Sequence, residues 1–259
     1  MPHDLQRLYI APEQHQGDRA QLTPVQCHYL YRVLRLAEGD RLIVLDGQGA
    51  AWLAELAGTE AILSEAIAVS TELPLQLTLI VALPKGSGFE EIIRCGTELG
   101  VTTFCPVMSD RTLPKPNPKK LARWQKIATE AAEQSERALV PTVEAVRPFR
   151  ELLQGQGMGA KYLCVARGDV PSLGLRIREI PSAPLGKGKI PPAPLNKGGI
   201  TVATGPEGGW TAEEIEQAIA VGFQPVSLGA RVLRAVTAPI AAVAVVASWL
   251  ESEQTGGKF

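Results

Sequence analysis

The chain has 259 residues, 45% of them hydrophobic and 20% charged, which describes a folded globular protein with material for a sizeable core and excludes a wholly disordered chain. Its length fits one large domain or two unequal ones. A formal net charge of −1 excludes a uniformly basic nucleic-acid binder, although a basic face can sit inside a neutral total. The start, Met1-Pro2-His3-Asp4, has no basic, apolar leader, so a cytoplasmic location is expected. The longest apolar run, Ile240 to Leu250, is too short for a bilayer and reads as a buried helix, so no membrane association is expected. Cys27, Cys95, Cys105 and Cys164 are widely spaced, with no C-x-x-C pair and no His cluster, and read as reduced core thiols, with no metal expected.

Arg7 to Ile10 reads as a strand, and Thr23-Pro24 opens a helix, expected to run to about Leu36, with an N-cap residue followed by proline. Gly39-Asp40 then leads into the apolar strand Arg41 to Leu45, which ends in the turn Asp46-Gly47-Gln48-Gly49. Further strands follow to about Thr71. Residues 1–73 therefore read as a small strand-rich domain.

The pattern changes from residue 74 onward. Leu77 to Ala82 is a continuous apolar strand, and Phe89 to Leu99 is an amphipathic helix closed by Gly100. Phe104 to Val107 is the next strand, and Asn117-Pro118 caps a long helix with Leu121, Trp124, Ala128, Ala131 and Ser135 on one face. Strands at Tyr162 to Ala166 and Ile200 to Thr204 continue the alternation. Residues 74–259 thus read as an α/β domain with a mostly parallel, buried sheet and helices on both faces. Within it, Ser182 to Ile190 is nearly repeated by Pro192 to Ile200. Rich in Pro and Gly, residues 180–199 read as a flexible insertion, with a solvated linker preferred over a role for its three lysines on RNA phosphates.

The strongest chemical signal is Thr204-Gly205-Pro206-Glu207-Gly208-Gly209-Trp210, directly after an apolar strand. Thr211-x-x-Glu214 then forms a capping box for a helix through Ala220. A glycine-rich strand-to-helix turn lets backbone approach a ligand and aims N–H groups at it; a tight structural turn is the alternative. Pro225 to Gly229 is a second short strand, leading through Ala230 to Arg234 into a terminal helix opened by Thr237-Ala238-Pro239. Two successive turns at the carboxyl edge of a parallel sheet favour a ligand site. The letters Gly155 to Ala160 fit a dinucleotide fingerprint but precede a strand, and no Walker A sequence occurs, so neither nucleotide signature applies.

Gly205-Pro206-Glu207-Gly208-Gly209, followed by Leu228-Gly229-Ala230-Arg231-Val232-Leu233-Arg234, resembles the two cofactor-binding segments of the ribosomal RNA small-subunit (16S) uridine N3-methyltransferase family, within the SPOUT class. Leu83-Pro84-Lys85-Gly86, Glu90, Thr97 to Val101, Arg123-Trp124 and Glu130 to Arg137 agree with it. So do His28-x-x-x-Arg32-Val33-Leu34-Arg35, Gly39-Asp40 and Asp46-Gly47, so the resemblance covers nearly the whole chain outside the insertion. It implies an N-terminal PUA-like RNA-binding β-barrel, a trefoil-knotted SPOUT domain, a homodimer, S-adenosylmethionine as cofactor, and small-subunit ribosomal RNA or a ribosomal particle as partner.

In that light Thr204, Gly205, Gly209, Leu228, Gly229 and Leu233 are the candidate cofactor-binding residues. Arg234 is the candidate catalytic residue, with a salt bridge or phosphate contact as the other reading. Arg7, Arg32, Arg35, Lys85, Arg111, Arg123 and Arg137 are candidate RNA contacts, because their cations neutralise phosphates; a solvated surface is the alternative for each. Arg32 and Arg35 are expected on one helix face, with His28 one turn before Arg32 as a polar contact or, preferred, a half-buried ring. One departure stands out: where the family continues Leu-Arg-Thr-Glu-Thr-Ala, this chain reads Leu233-Arg234-Ala235-Val236-Thr237-Ala238. The missing carboxylate leaves deprotonation of the uridine to Glu207 or solvent hydroxide, and keeps open a rival reading as an RNA-binding ribosome-assembly factor with weakened catalysis. Ribose methylation is disfavoured by the N-terminal likeness.

Overall fold

The computed structural model describes residues 5–69, 71–112, 119–155, 159–179 and 199–254, in two compact units. The first comprises residues 1–72 with 132–140, the second residues 73–131 with 141–259. Nearly all of the insertion expected at 180–199, and the Asn117-Pro118 cap, lie outside the described residues.

In the first unit the strands are β1 (Arg7–Tyr9), β2 (His15–Gln16), β3 (Arg19–Gln21), β4 (Arg41–Leu45), β5 (Ala51–Ala57) and β6 (Glu60–Ala66), with helix α1 (Pro24–His28) between β3 and β4. They form one curled sheet in the order β1-β4-β5-β6-β3-β2, antiparallel except for the parallel β1–β4 pair. Strand alternation gives the sheet two apolar faces. Leu42 and Val44 of β4 join Leu30, Leu56 and Leu63 in one core, whereas Ile43 and Leu45 face a second core with Tyr9, Ala132 and Ala138. That second face explains why residues 132–140 group with the first unit: without Ala132, Ala138 and Val140, Ile43 and Leu45 would each lose part of the about 1.5–3 kcal/mol that full burial of such a side chain is worth.

Helix α1 starts as expected, its Thr23 Oγ1 accepting the Gln26 amide and Gln26 Oε1 accepting the Thr23 amide. It does not run on to Leu36. Residues Tyr29–Val33 form a wider turn, the Leu34 amide donating to the Tyr29 carbonyl, and Arg35 ends it with φ of 59°. Arg32 and Arg35 therefore do not share a regular helix face, and His28 is exposed rather than half-buried.

In the second unit the strands are β7 (Leu77–Ala82), β8 (Thr103–Met108), β9 (Thr142–Val143), β10 (Arg147–Pro148), β11 (Gly159–Cys164), β12 (Gly199–Thr204) and β13 (Gln224–Val226). The helices are α2 (Gly88–Glu98), α3 (Lys119–Gln134), α4 (Phe149–Leu153), α5 (Leu173–Ile177), α6 (Ala212–Ala220) and α7 (Thr237–Gln254). Every pairing among these strands is parallel, in the order β10-β8-β7-β12-β11-β13, with β9 also on β8. Leu77, Leu79 and Val81 point to one face, where α2, α3, α5 and α7 pack; Ile80 and Ala82 point to the other, against α4 and α6. A strand covered on both faces reads as an unbroken apolar run, which is how β7 and β12 stand out in the sequence. Among the described residues no helix is long and apolar enough to cross a membrane.

Candidate functional site

Parallel strands leave their carboxyl ends on one edge, and three neighbours, β12, β11 and β13, end there together. Residues 164–167, 204–210, 228, 229, 231–233 and 235, from the segments that leave them, line a cavity of about 480 Å³, joined by Arg111, Ile215 and Ala238. Clefts of this size hold cofactor-sized ligands. All six positions singled out in sequence, Thr204, Gly205, Gly209, Leu228, Gly229 and Leu233, line this one cavity. Arg234 is exposed and is not among the lining residues.

The loop after β12 is tied at three points. Thr211 Oγ1 accepts the Glu214 amide at 3.2 Å and Glu214 Oε2 accepts the Thr211 amide at 2.8 Å, which starts α6. The same carboxylate, 1% exposed, uses Oε1 to accept the Asp110 amide at 2.9 Å, so one capping residue also secures the loop after β8. Arg111 Nη1 donates to the Gly208 carbonyl at 2.6 Å and, more weakly, to the Trp210 carbonyl at 3.4 Å. Glu207 Oε1 accepts the Lys85 amide at 3.0 Å, which fastens the loop after β7. Trp210 stacks on Phe149 with ring centroids 4.3 Å apart, and its ring lies so near Gly205 that a Cβ there would meet it at 3.2 Å. The indole Nε1 is buried and has no hydrogen-bond partner among the described residues, which costs free energy unless a ligand accepts it.

After β13, Ser227 Oγ accepts the Gly229 amide at 3.0 Å and so sets a tight turn in which Gly229 has φ of 114°, a region that favours glycine. Val232 is 68% exposed, whereas Ala235 is buried and Val236 packs beside Gly88 and Pro84. The position where the resembled family carries glutamate is thus an apolar contact. Cys164, at the cavity wall, is pushed up to about 12 by burial and stays a neutral thiol.

The basic candidates scatter. Arg7 pairs with Glu136 and Arg123 with Glu90, both at 2.8 Å, and Arg111 serves the cofactor-type loop. Arg137, expected to touch RNA, does not: it is 2% exposed and held by Glu72, Nη2 to Oε2 at 2.6 Å, so its guanidinium cannot meet a phosphate. Arg32, Arg35 and Lys85 are exposed. Arg167 and Arg231 are also exposed at the cavity: Arg231 lies within the segment whose resemblance marked the site but is not itself among the candidates, and Arg167 has no sequence signal beyond its position just past an apolar strand. Trp210 and Glu214 were read as motif and cap only, although their burial makes them part of the site. Among the described residues no His, Cys, Asp and Glu cluster could hold a metal ion.

The profile of an RNA methyltransferase domain matches residues 71–247, and that of an RNA methyltransferase PUA domain matches residues 23–65. The chain is 51% identical to a ribosomal RNA small subunit methyltransferase E of Synechocystis, over 95% of this chain and 78% of that one. It is 31% identical to the protein of that name from Bacillus subtilis, over 93% and 96% of the two chains. Its fold matches the crystal structure of a ribosomal RNA small subunit methyltransferase E from Neisseria gonorrhoeae bound to S-adenosyl methionine, with a TM-score of 0.79, 32% identity and 95% and 98% coverage. With a matched domain profile over most of its length and relatives of this identity, the chain belongs to the ribosomal RNA small subunit methyltransferase E family of RNA methyltransferases.

Proposed function

We propose that the chain is an S-adenosylmethionine-dependent methyltransferase that acts on N3 of a uridine in small-subunit ribosomal RNA. The observation that carries the reading is the convergence of Thr204, Gly205, Gly209, Leu228, Gly229 and Leu233 on one cavity at three parallel strand ends. The residues present fit such a cofactor: the volume suits it, Gly209 leaves open space on its Cα, and the Trp210 indole N–H lacks an acceptor. Thr204, Gly205, Gly209, Leu228 and Gly229 would hold its polar groups through backbone, with Leu233 against its apolar parts.

When bound, the cofactor supplies a methyl group already activated on a sulfonium. The chain's own contribution is to position and to manage charge. Glu214, Arg111 and Glu207 fix the loop after β12 before any ligand arrives, so little reorganisation is needed on binding. Arg111, Arg167 and Arg231 place positive charge along the cavity, where it would favour an RNA phosphate or the anion of a deprotonated uridine. Arg234, exposed beyond the cavity, would approach the base from the RNA side. With Val236 packed against Gly88, removal of the N3 proton falls to Glu207 or solvent hydroxide.

The same apolar contact is what favours the second reading, an RNA-binding assembly factor with weakened catalysis. A homodimer and a cytoplasmic setting complete the proposal. Mass spectrometry of small-subunit RNA from cells with and without the chain tests the assignment. N3-methyluridine should vanish with the chain and return with it; an unchanged level rejects the substrate. Retention of cofactor binding by calorimetry with no methyl transfer would select the second reading.

A further inference from the structure

The segment from Val25 to Arg35 is apolar on both sides. Cys27, Leu30, Tyr31 and Leu34 turn inward to the core of the first unit, with Leu30 fully buried and the Tyr31 hydroxyl donating to the Gly58 carbonyl. Outward, Val25, Tyr29 and Val33, four residues apart, are 78%, 42% and 58% exposed. Large apolar side chains lined up on a surface call for a partner. The Tyr29 hydroxyl has no hydrogen-bond partner among the described residues.

The same short segment carries two arginines. His28, Arg32 and Arg35 are exposed, and neither arginine has an ion pair among the described residues, whereas Arg7 and Arg19 of the same unit are paired with Glu136 and Glu60. The backbone is also unusual here: the wide turn at Tyr29–Val33 is followed by Arg35 at φ of 59°, a conformation that costs a non-glycine residue free energy. Three separate features, an apolar stripe, unneutralised cations and local strain, meet in one short segment.

We propose that this face grips an unpaired nucleotide of RNA, with Tyr29 as the stacking platform between Val25 and Val33, and Arg32 and Arg35 on the flanking phosphates. The inference deepens the proposed function and rests on it for the choice of RNA. A duplex would satisfy the arginines but hides its base faces, so it has no use for the apolar stripe. An unpaired base uses both, because every base offers a face for stacking and every flanking phosphate a charge. An ordinary apolar protein partner would strip water from both arginines without neutralising them.

The test is anisotropy with the full chain and two fluorescent RNAs of equal length, one single-stranded and one a closed duplex. Tyr29→Ala should weaken the single strand by about tenfold or more and leave the duplex unchanged, while Tyr29→Phe retains near-native affinity. Arg32→Ala should weaken both and lower the slope of log affinity against log salt by just under one. Equal affinity of Tyr29→Ala and the parent for the single strand, at matching melting temperatures, overturns the proposal. So does a Tyr29→Ala variant that keeps RNA affinity but loses a co-purifying protein, or a Tyr29→Phe variant as weak as the alanine one. Methyl transfer to small-subunit RNA, assayed alongside, separates the two ideas. Tyr29-dependent RNA binding without transfer defeats the activity and spares the face; transfer by Tyr29→Ala with unchanged KM for RNA defeats the face and spares the activity.

Discussion

The first unit buries its polar groups in a closed set, the second in an open one. In the first, Glu72 takes Arg137 Nη2 at 2.6 Å and Nε at 3.1 Å, and its Oε1 also accepts the amides of Ala138 and Leu139 at 2.9 and 3.1 Å. The Tyr9 hydroxyl, held protonated by burial and by the Glu72 charge, donates to the Arg137 carbonyl. In the second, Glu214 is buried more deeply and is satisfied, but the Trp210 N–H, four residues earlier in the chain, has no partner among the described residues. A closed set joins distant chain segments and needs nothing further; an open one at a cavity wall leaves a place for a ligand to complete.

Glu72→Ala removes the centre of the closed set and has the largest expected effect. It takes the Glu72 carboxylate from a buried guanidinium and from the amides of Ala138 and Leu139, so urea unfolding should show a loss of about 3–5 kcal/mol. Glu72→Met with Arg137→Leu should recover part of this and no more, since Ala138 and Leu139 still lack an acceptor. A loss under about 1 kcal/mol for the single variant would mean that the pair is not the staple of the first unit.

Arg111→Ala acts on the open set. It removes a charged donor from the Gly208 and Trp210 carbonyls at the surface of the second unit, so cofactor affinity by calorimetry should fall about tenfold, or 1.4 kcal/mol, with little change in melting temperature. If RNA affinity falls and cofactor affinity does not, Arg111 belongs with the RNA contacts after all.

Trp210→Phe is subtler and its sign is informative. Phenylalanine keeps an aromatic face on Phe149 while deleting the unpartnered N–H. The free protein should hold or gain up to about 1 kcal/mol of stability while the cofactor binds several-fold more weakly. Lower stability with unchanged affinity would show that the indole is only packing.

What could be read from sequence follows the same division. Local chemistry is legible: the Thr211–Glu214 cap, the apolar runs of β7 and β12, and the glycine-rich turns mark themselves by residue type, and the six cavity positions follow from the family resemblance that those turns carry. Long-range pairing is not. Nothing near Arg137 announces that Glu72, 65 residues away, removes it from the surface, nor that Arg111 reaches Gly208, 97 residues on. The wide turn at Tyr29 was missed because Cys27, Leu30, Tyr31 and Leu34 suit a regular helix equally well; the difference lies in one hydrogen bond, Leu34 to Tyr29.

The smallest effect concerns thiols. Burial pushes Cys164, on the cavity wall, and Cys105, in the core beneath α4, both up to about 12 from an ordinary value near 9. An acid whose folded value is raised contributes stability that is fully present below pH 9 and is lost as pH rises toward 12. Both should therefore resist an alkylating reagent at pH 8, while the half-buried Cys27 and Cys95 react first. Mass mapping of the modified protein reads this directly. Cys164 is the informative one, since it belongs to the open set. Were it to react as fast as Cys27, and more slowly with S-adenosylmethionine present, the cavity would reach solvent as far as the end of β11. Cofactor protection would then locate the ligand against Cys164, whereas uniform protection keeps the floor of the cavity as closed as the core around Cys105.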